Sequence, residues 1–451
     1  MNMKKPLALL LAAGMTLGLA ACGGGTQGSS ETPAGSSNAP ASETSSGGAV
    51  ELNLWSFNIG GFTDAAAWEP IVAAFNEANP DITVTVTPIN YQDGDQKLTT
   101  AISSNSAPDI IFEGPERIVG NYAREGLMVD LSDLWTAGGS DIAEGISSVS
   151  QLDGTYYMYP LSVAAHCMAI NYEVFEAAGA LQYIDEETRT WTTDDFVAAM
   201  AAIRDAAAAG TVNVATPGIV YCGAQGGDQG TRALVNNLYS DYYVNEDGTS
   251  YTANSENNVK ALTLLQTMVN DGSLSANASY AAADELQSFA NQTCAVTFCW
   301  NYSNYTQYAE QTQFTPFAMA FPSDDSQPEL EMAGPYGFGV FDNGDEAKIE
   351  AAKTFIKFVC DDAAQGPESV RLTGFFPVRS SFGDVYAGTD QAEQMSEFQS
   401  LMPYLGDYYN VISGWTEQRT NWFNMLQRIL VSGGDPQTEA DAFVEASNAN
   451  I

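Results

Sequence analysis

The sequence predicts an α/β fold for the folded part of the chain. Three segments with strand patterns, LNLWSF, ITVTVT and DIIF, alternate with two helical segments between residues 52 and 112. In ITVTVT the apolar residues Ile82, Val84 and Val86 alternate with threonines, which is the pattern of a half-buried strand. Strands that take turns with helices along the chain are typical of a parallel sheet covered by helices.

The first predicted helix follows LNLWSF. We expect it to start near Pro70, because proline is tolerated in a first helical turn, and to bury Ile71, Val72 and Phe75. The second predicted helix lies in DQKLTTAISS, directly before the strand DIIF.

Two longer helices are predicted in the middle of the chain. In TTDDFVAAMAAIRDAAAAG, Thr192 and Asp195 have the spacing of a capping box, and Gly210 can end the helix. NVKALTLLQTMVNDG has the same form and ends at Gly272. The α/β pattern therefore continues well beyond the first hundred residues.

Residues 1–21 are predicted to be a secretory signal. Two lysines precede an uncharged apolar run from Leu7 to Ala21 that is too short to span a bilayer. The run ends in Leu-Ala-Ala-Cys, which resembles the lipobox of bacterial lipoproteins and implies cleavage before Cys22 and lipid on that cysteine. The alternative is an ordinary signal peptide with an incidental cysteine. Residues 22–49 are rich in Gly, Ser, Thr and Pro, so we expect a flexible tether to the extracellular face of the cell membrane.

The charge balance is strongly acidic. The chain has 16 basic and 56 acidic residues, and two of the lysines belong to the predicted signal, so 14 basic residues remain and the net charge becomes −42. Such a field repels phosphate backbones and anionic headgroups, which excludes nucleic acid as a partner. Most of these carboxylates are expected to form a solvated surface.

Signatures of catalysis, cofactors and metal sites are missing from the sequence. No phosphate loop, dinucleotide fingerprint, nucleophile elbow or His-Glu-x-x-His motif occurs, and the one histidine, His166, is interpreted as a packed polar residue. Five cysteines besides Cys22 form an odd set without Cys-x-x-Cys spacing, and they are expected to be buried thiols: Cys167, Cys222, Cys294, Cys299 and Cys360. We therefore expect a protein with no cofactor and no metal that is not an enzyme.

Aromatic side chains stand beside polar ones at several predicted strand ends. A ring stacks on the C–H face of a sugar while amides and carboxylates bind its hydroxyls, so this combination indicates a sugar site. The alternative is that the rings belong to the core. For Trp55 and Trp422 the core and the site are equally expected, whereas Trp300 is expected in a cleft. The aromatic residues of the predicted site are Trp300, Tyr302, Tyr336 and Trp415, and Asn58 follows the first strand.

Two carboxylates follow the strand DIIF. Glu113 and Glu116 come directly after three apolar residues, so we expect them at the carboxyl end of a buried strand. They are candidates to bind ligand hydroxyls. The alternative, which applies most to Glu116, is an acidic residue that the helix dipole favours at a helix start.

A set of segments spread over nearly the whole chain after the predicted signal resembles the family 1 extracellular solute-binding proteins of ABC importers, the maltose-binding type. The segments are LNLWSFN, WEPIVAAFNEANPDITVTV, SNSAPDIIFEGPERIVGNYAREGLMVDLSDLW, DGTYYMYPLSVAAHCMAINYEVFEAAG, TWTTDDF, FANQTCAVTFCWNYSNY and GFFPVRSS.

This resemblance implies a type II periplasmic-binding-protein-like fold. Two α/β lobes would close about a hinge over a ligand held between them, with the carboxyl ends of the strands facing the cleft. The implied N-terminal lobe takes residues 50–161 and 322–361, and the implied C-terminal lobe takes residues 162–321 and 362–451. A monomer that delivers its ligand to the permease subunits of an ABC transporter is expected.

The resemblance also implies roles for particular residues. Glu116 and Arg117 fall on an acid-arginine pair that binds ligand hydroxyls, and Asn58 falls on the polar residue after the first strand. Trp300 and Tyr302 fall on an aromatic pair that stacks on a sugar. The sequence departs from the maltose-binding pattern at Ala164, where those proteins carry an acid, so maltose itself is in doubt while the sugar class is not.

Three functions follow from these observations. The first is a receptor that captures a sugar or oligosaccharide for import. The second is a receptor for a cationic solute such as a polyamine, because aromatic rings with acids also bind cations, although Arg117 opposes it. The third is a surface glycoside hydrolase, which needs two carboxyl groups about 5–10 Å apart across a sugar ring, an arrangement that Glu113 and Glu116 on one turn are poorly placed to provide.

Overall fold

The computed structural model describes residues 49–91, 93–223, 227–245, 247–406 and 411–451. The predicted signal, Cys22 and nearly all of the predicted tether lie outside these residues. Among the residues described, none of the helices has both the length and the apolar character that crossing a bilayer requires.

The strands are short and spread along the whole described chain. In chain order they are β1 (Val50–Phe57), β2 (Ile82–Ile89), β3 (Ile110–Glu113), β4 (Gln151–Leu152), β5 (Thr155–Tyr156), β6 (Tyr159–Ala165), β7 (Cys167–Asn171), β8 (Ile219–Tyr221), β9 (Ser275–Asn277), β10 (Val296–Trp300), β11 (Pro316–Met319), β12 (Met332–Val340) and β13 (Phe376–Pro377).

Helices connect and cover these strands. They are α1 (Ala65–Ala78), α2 (Gly94–Ser103), α3 (Pro115–Arg117), α4 (Ser132–Gly138), α5 (Glu144–Val149), α6 (Tyr172–Ala177), α7 (Thr193–Ala208), α8 (Asp228–Leu238), α9 (Glu256–Asn270), α10 (Ala282–Ala290), α11 (Tyr302–Tyr308), α12 (Glu346–Asp361), α13 (Gln365–Thr373), α14 (Ala392–Gln399), α15 (Trp415–Leu426) and α16 (Pro436–Asn448). Two π-helical turns, Ile118–Ala123 and Gln427–Val431, extend α3 and α15.

The larger sheet has six strands in the order β13-β6-β12-β3-β1-β2. β1 pairs in parallel with both β2 and β3, which confirms the parallel arrangement that the alternating pattern predicts. β12 enters between β3 and β6 and pairs antiparallel with both, so the complete sheet is mixed. The carboxyl ends of β1, β2 and β3 therefore meet at one edge of this sheet.

The apolar side chains of β3 explain its central position. Ile110, Ile111 and Phe112 are all buried. The Phe112 ring packs against Trp68 of α1, with 5.2 Å between ring centroids, and against Phe338 of β12, with 4.9 Å. A strand that is apolar on both faces is stable only when it is covered on both sides, as in this sheet.

A smaller sheet has three strands in the order β10-β7-β11, and both pairs are antiparallel. Only His166 separates β6 of the larger sheet from β7 of the smaller one. The backbone N–H of His166 donates to the carbonyl of Glu331, 3.0 Å away, and Glu331 directly precedes β12. We call His166 and Glu331 the crossover, because the chain passes there between the two sheets.

The first helix starts earlier than predicted. α1 begins at Ala65, because Asp64 caps it by accepting a hydrogen bond from the Ala67 N–H at 3.0 Å. Pro70 therefore lies inside the helix rather than in its first turn, and Val72 is only partly buried. A strong N-cap outweighs the preference of proline for a first turn, at the cost of one backbone hydrogen bond.

The two longer helices follow their capping residues. The hydroxyl of Thr192 accepts the Asp195 N–H at 3.1 Å at the start of α7, and Gly210 has a φ of +75° just after its end. Gly272, with a φ of +81°, likewise follows α9. Glycine suits these positions because a side chain disfavours the left-handed conformation. These predictions are confirmed.

The boundaries of the predicted lobes do not coincide with the sheets. β6 continues to Ala165, and β13 pairs with β6, so the larger sheet includes residues 162–165 and 376–377 that we had assigned to the second lobe. α13 also packs on β6. The division of the chain into two lobes stays a prediction.

The cysteines match the sequence interpretation. All five that lie within the described ranges are free and buried. His166 is also buried, which agrees with its interpretation as a packed polar residue.

Candidate functional site

The carboxylate that ends β3 lies inside the protein. Glu113 is 0 % exposed because β3 is flanked by β1 and β12 and the chain turns immediately afterwards. Its carboxylate accepts hydrogen bonds from the Gly114 N–H and from the Arg117 guanidinium, whose Nη1 lies 3.0 Å from Oε1. A buried carboxylate held by two donors is oriented before any ligand arrives.

The turn after β3 brings Gly114 close to the side chain of Glu116. A side chain on Gly114 would collide with the carboxylate of Glu116, which folds back over the turn. Pro115 then starts α3 with a fixed φ. Glu116 and Arg117 are both buried within four residues of the strand end.

Arg117 is surrounded by carboxylates. Its Nε and Nη2 donate to the two oxygens of Asp95, at 2.7 and 3.0 Å, and its Nη1 lies 3.4 Å from Glu116 Oε1 as well as 3.0 Å from Glu113. One guanidinium therefore faces three carboxylates, and the cluster carries an excess of negative charge. We call Asp95, Glu113, Glu116 and Arg117 the strand-end cluster.

Aromatic rings enclose the guanidinium of Arg117. Its Cζ lies 4.8 Å from the Phe57 ring centroid, 5.2 Å from Tyr91 and 5.5 Å from Trp415. Phe57 ends β1 and Tyr91 follows β2, so adjacent parallel strands supply two of these rings. Trp415 arrives from the other end of the chain, as the first residue of α15.

The position of Trp415 is set by a second arginine. The Arg419 guanidinium lies 5.1 Å from the Trp415 ring centroid, and its Nε donates to Asp228 at 2.8 Å. Trp415 and Arg419 are four residues apart on α15 and so share one face of the helix. The indole is buried and contacts both Arg117 and Arg419.

Tyr336 of β12 joins the same group. Its ring stacks on Phe375, with 5.4 Å between centroids. Burial raises the pKa of Tyr336, and the neighbouring carboxylates of Glu113 and Glu116 add to this effect. The Tyr336 hydroxyl therefore stays protonated and remains a hydrogen-bond donor.

The electrostatics of Glu113 follow from its burial. Removal from water raises its pKa to about 7, the negative charge of Glu116 acts in the same direction, and Arg117 opposes both. Its carboxyl group therefore changes charge near neutral pH.

Tyr302 and Asn58 lie apart from the strand-end cluster. Tyr302, on α11, lines a cavity of about 340 Å³ together with Gly60, Thr63, Arg371 and Gln391. Its hydroxyl accepts a hydrogen bond from the Gln391 side chain at 3.0 Å. Asn58 is exposed, and its backbone N–H donates to Ile89.

Gly60 has no room for a side chain at the wall of this cavity. Its φ is +55°, and a Cβ there would collide with the Thr373 carbonyl and the Phe375 ring. Phe375 also stacks on Tyr336, so this ring lies between Gly60 and Tyr336.

The expectation that the Trp300 ring faces a cleft is wrong for this structure. The residue is 1 % exposed, and its ring packs edge-on against Phe289 at 5.4 Å. Trp300 ends β10, in the smaller sheet, where the neighbouring helix α10 covers it. The Nε1 of this indole has no hydrogen-bond partner among the described residues. Trp422 is also a core residue, with its Nε1 donating to Thr231 at 2.9 Å.

Three residues of the site were not predicted from the sequence. Asp95 lies in the first turn of α2, six residues after β2, so the pattern of a carboxylate directly after an apolar strand does not identify it. Arg419 lies one helical turn after Trp415, a spacing visible in WTEQR. Tyr91, three residues before α2, carried no such signal.

The described residues contain no group of histidine, cysteine and acidic side chains arranged to hold a metal ion. Glu113 and Glu116 both contact the same guanidinium, so they do not stand on opposite sides of a space for a sugar ring. A larger cavity, of about 550 Å³, lies beside α5 and residues 376–386 and contains none of the predicted ligand-binding residues.

Two known proteins resemble this chain in sequence. Diacetylchitobiose binding protein DasA of Streptomyces coelicolor is 29% identical over 176 residues, which are 39% of this chain and 38% of that protein. A binding protein of Brucella abortus, BAB2_0491, is 25% identical over 385 residues, which are 82% of this chain and 86% of that protein.

The ABC substrate-binding protein Lmo0181 from Listeria monocytogenes, solved in complex with cycloalternan, shares the fold. The TM-score is 0.70 at 21% identity, over 89% of this chain and 98% of that one. The fold is thus that of the type II periplasmic binding proteins, as the resemblance had implied.

Residues 70–398 match the family described as bacterial extracellular solute-binding protein. This match covers most of the chain and agrees with the fold. The chain therefore belongs to the bacterial extracellular solute-binding protein family.

Proposed function

We propose that this protein captures a neutral sugar or oligosaccharide outside the cell and delivers it to the permease of an ABC importer. One observation carries the proposal: in a member of a solute-binding family, an arginine held by oriented carboxylates contacts the Trp415 ring, and Tyr336 lies near the same carboxylates, at the carboxyl ends of parallel strands. Such a mixture of rings and charged acceptors suits a polyol.

The relatives support the sugar class. DasA is named for diacetylchitobiose, and Lmo0181 was solved with cycloalternan, so two similar proteins bind carbohydrates of different types. This chain lacks an acid at Ala164, which is buried in β6, so its own ligand need not be maltose.

We further propose that the ligand lies between two lobes built on the six-stranded and the three-stranded sheet. Asn58, Glu113, Glu116, Arg117 and Tyr336 would line one side, and Tyr302 and Trp415 the other, while Trp300 stays in the core. The contact of Arg117 with Trp415 supports this arrangement, because it joins the end of β3 to the distant helix α15.

A cationic solute fits the cluster less well. The rings of Phe57, Tyr91 and Trp415 already surround the guanidinium of Arg117, so an incoming cation would meet a resident positive charge. Hydrolysis of a glycoside would need two carboxyl groups on opposite faces of the sugar, whereas Glu113 and Glu116 bind one arginine.

A calorimetric screen tests these alternatives. Purified protein would be titrated with glucose, maltotriose and N,N′-diacetylchitobiose, and with spermidine and choline as cations. We expect saturable heat with at least one sugar, thermal stabilisation at saturating ligand and no change in the sugar on chromatography. Binding of a cation alone would replace the proposal with the cationic receptor, and cleavage of the sugar would replace it with the hydrolase.

A substitution connects the screen to the cluster. Glu116→Gln removes a charged acceptor, so it should weaken sugar binding by about 1.5–3 kcal/mol. Glu77→Gln, on the exposed face of α1, is the matched control and should bind as the unmodified protein does. Equal affinities for the two variants would remove Glu116 from the site.

We also propose that lipid on Cys22 anchors the protein to the cell membrane, that it acts as a monomer and that residues 22–49 act as a tether. The lipobox-like sequence before Cys22 supports the anchor. Cys22→Ala should prevent incorporation of labelled palmitate in cells. Unchanged labelling of this variant would refute the anchor at this position.

A further inference from the structure

A row of buried charged side chains runs from the candidate site toward the crossover. Arg419, beside Trp415, donates to Asp228, and Asp228 also forms an ion pair with Arg232. Arg232 in turn forms an ion pair with Glu331, through Nη2 to Oε1 and through Nε to Oε2 at 3.3 Å. We call Arg419, Asp228, Arg232 and Glu331 the buried charge row.

The members of the row are withdrawn from water. Asp228 and Arg232 are fully buried and Glu331 is nearly so, while the Arg419 side chain is 12% exposed. The two acids and two arginines balance in charge. A buried ion whose partner moves away is strongly unfavourable, so the positions of the four side chains depend on one another.

One end of the row lies at the crossover. Glu331 is bonded through its carbonyl to the His166 N–H, at the point where the chain passes between the sheets. Its carboxylate is held by Arg232 of α8, a helix that packs on β10 of the smaller sheet. The row therefore joins a crossover residue to the elements that carry the smaller sheet.

The other end of the row lies at the candidate site. Arg419 contacts the Trp415 ring, and Arg117 of the strand-end cluster contacts the same ring. Asp228, the first residue of α8, accepts a hydrogen bond from the Arg419 guanidinium and so fixes its position. A shift of Trp415 would therefore disturb its contact with the strand-end cluster or its contact with the buried charge row.

We propose that Asp228 and Arg419 are positioning residues that hold Trp415 at the candidate site, and that the buried charge row couples the first turn of α15 to the crossover. The inference rests on the proposed function only in taking Trp415 as part of the ligand site. Movement of the crossover, where the two sheets connect, would then shift Trp415. Displacement of Trp415 would likewise shift the crossover.

Hydrogen exchange of the ligand-free, full-length protein tests the coupling through two backbone amides. The His166 amide donates to Glu331 and reports on the crossover, and the Gln418 amide donates to Gly414 and reports on the first turn of α15. Glu331→Gln removes a charge that touches no residue of α15. We expect it to speed exchange of the Gln418 amide by about tenfold, equivalent to about 1.4 kcal/mol.

Substitutions at the opposite end test the reverse direction. Arg419→Met should speed exchange of the His166 amide, and Arg419→Lys should restore part of the protection because it keeps a positive charge near Asp228. Asp133→Asn is the control, since the exposed Asp133 forms an ion pair with Lys353 that lies outside the row. It should leave both reporter amides unchanged.

These exchange measurements test the coupling without a bound ligand. If Glu331→Gln fails to fold, the Arg419 pair of variants carries the test, because the Arg419 side chain reaches the edge of the core. Folded variants in which the distant reporter keeps its protection would overturn the coupling. A sugar screen without binding would remove the proposed ligand class and leave this exchange result intact.

Discussion

The buried carboxyl group of Glu285 should make the protein less stable as the pH rises. Glu285 lies on α10 and is 0% exposed. Its oxygens accept hydrogen bonds from the Thr297 hydroxyl at 2.7 Å and the Phe298 N–H at 2.9 Å. No cationic side chain among the described residues forms a salt bridge with it, and burial raises its pKa from 4.5 to about 8.

The sign of the effect follows from proton binding. Because the pKa is higher in the folded state, the folded protein binds more protons than the unfolded chain between about pH 4.5 and pH 8. The stabilisation from the protonated group is complete below this window and is lost as pH rises through it. The slope is about 1.4 kcal/mol per pH unit, so the total over the window is at most roughly 5 kcal/mol.

Glu285→Gln should remove this dependence. A glutamine can accept the Phe298 N–H through its carbonyl and donate to Thr297 through its amide, so it imitates the protonated acid at every pH. The variant should match the unmodified protein near pH 5 and exceed its unfolding free energy by about 2–3 kcal/mol at pH 7.

Urea unfolding at pH 5, 6, 7 and 8, followed by circular dichroism, measures the difference. Glu77→Gln is the control for loss of one exposed carboxylate and should follow the unmodified protein at each pH. A constant difference between Glu285→Gln and the unmodified protein across the series would refute the reasoning, because the carboxyl group would then have the same pKa in both states.

Four other outcomes are expected. Trp300→Ala should lower the unfolding free energy by about 3–5 kcal/mol in urea titrations, because it empties a buried site against Phe289. Tyr302→Ala should weaken binding of the sugar found by calorimetry by about 1–3 kcal/mol while the melting temperature stays the same, since its ring lines a cavity. Arg379→Ala should lower the unfolding free energy by about 3–5 kcal/mol, because it leaves the Asp361 carboxylate without its ion pair. Sugar affinity should fall below pH 7 as Glu113 gains a proton and loses acceptor capacity, and Glu113→Gln should flatten this pH profile.

Controls separate these effects from general damage. Trp300→Phe keeps most of the buried surface and should cost less than alanine. Tyr302→Phe keeps the ring and isolates the hydroxyl bond to Gln391. A Trp300→Ala variant that melts like the unmodified protein, or a Tyr302→Ala variant that binds normally, would contradict its prediction. Affinity independent of pH would count against Glu113 as an acceptor.

Features that depend on neighbouring residues could be predicted from the sequence. The alternation in ITVTVT, the cap at Thr192 and the carboxylates after DIIF each depend on residues within a few positions of one another, and the structure has these features where the pattern places them.

Contacts between distant segments were not readable in the same way. Trp300 is covered by α10 and the Phe289 ring, a fact of packing that its polar neighbours in CWNYSNY gave no reason to expect. The insertion of β12 between β3 and β6 depends on pairing across about two hundred residues. Arg419 reaches Asp228 over a similar separation.

The order of strands in the larger sheet has a consequence for how the protein is made. Among the described strands, β6 pairs with β12 and β13 alone, and β12 begins at Met332. While the ribosome is still adding the residues between β6 and β12, β6 has no neighbour and its backbone groups lack their sheet partners. About three quarters of the chain must therefore be made before β6 can pair with β12, so this half of the sheet closes late.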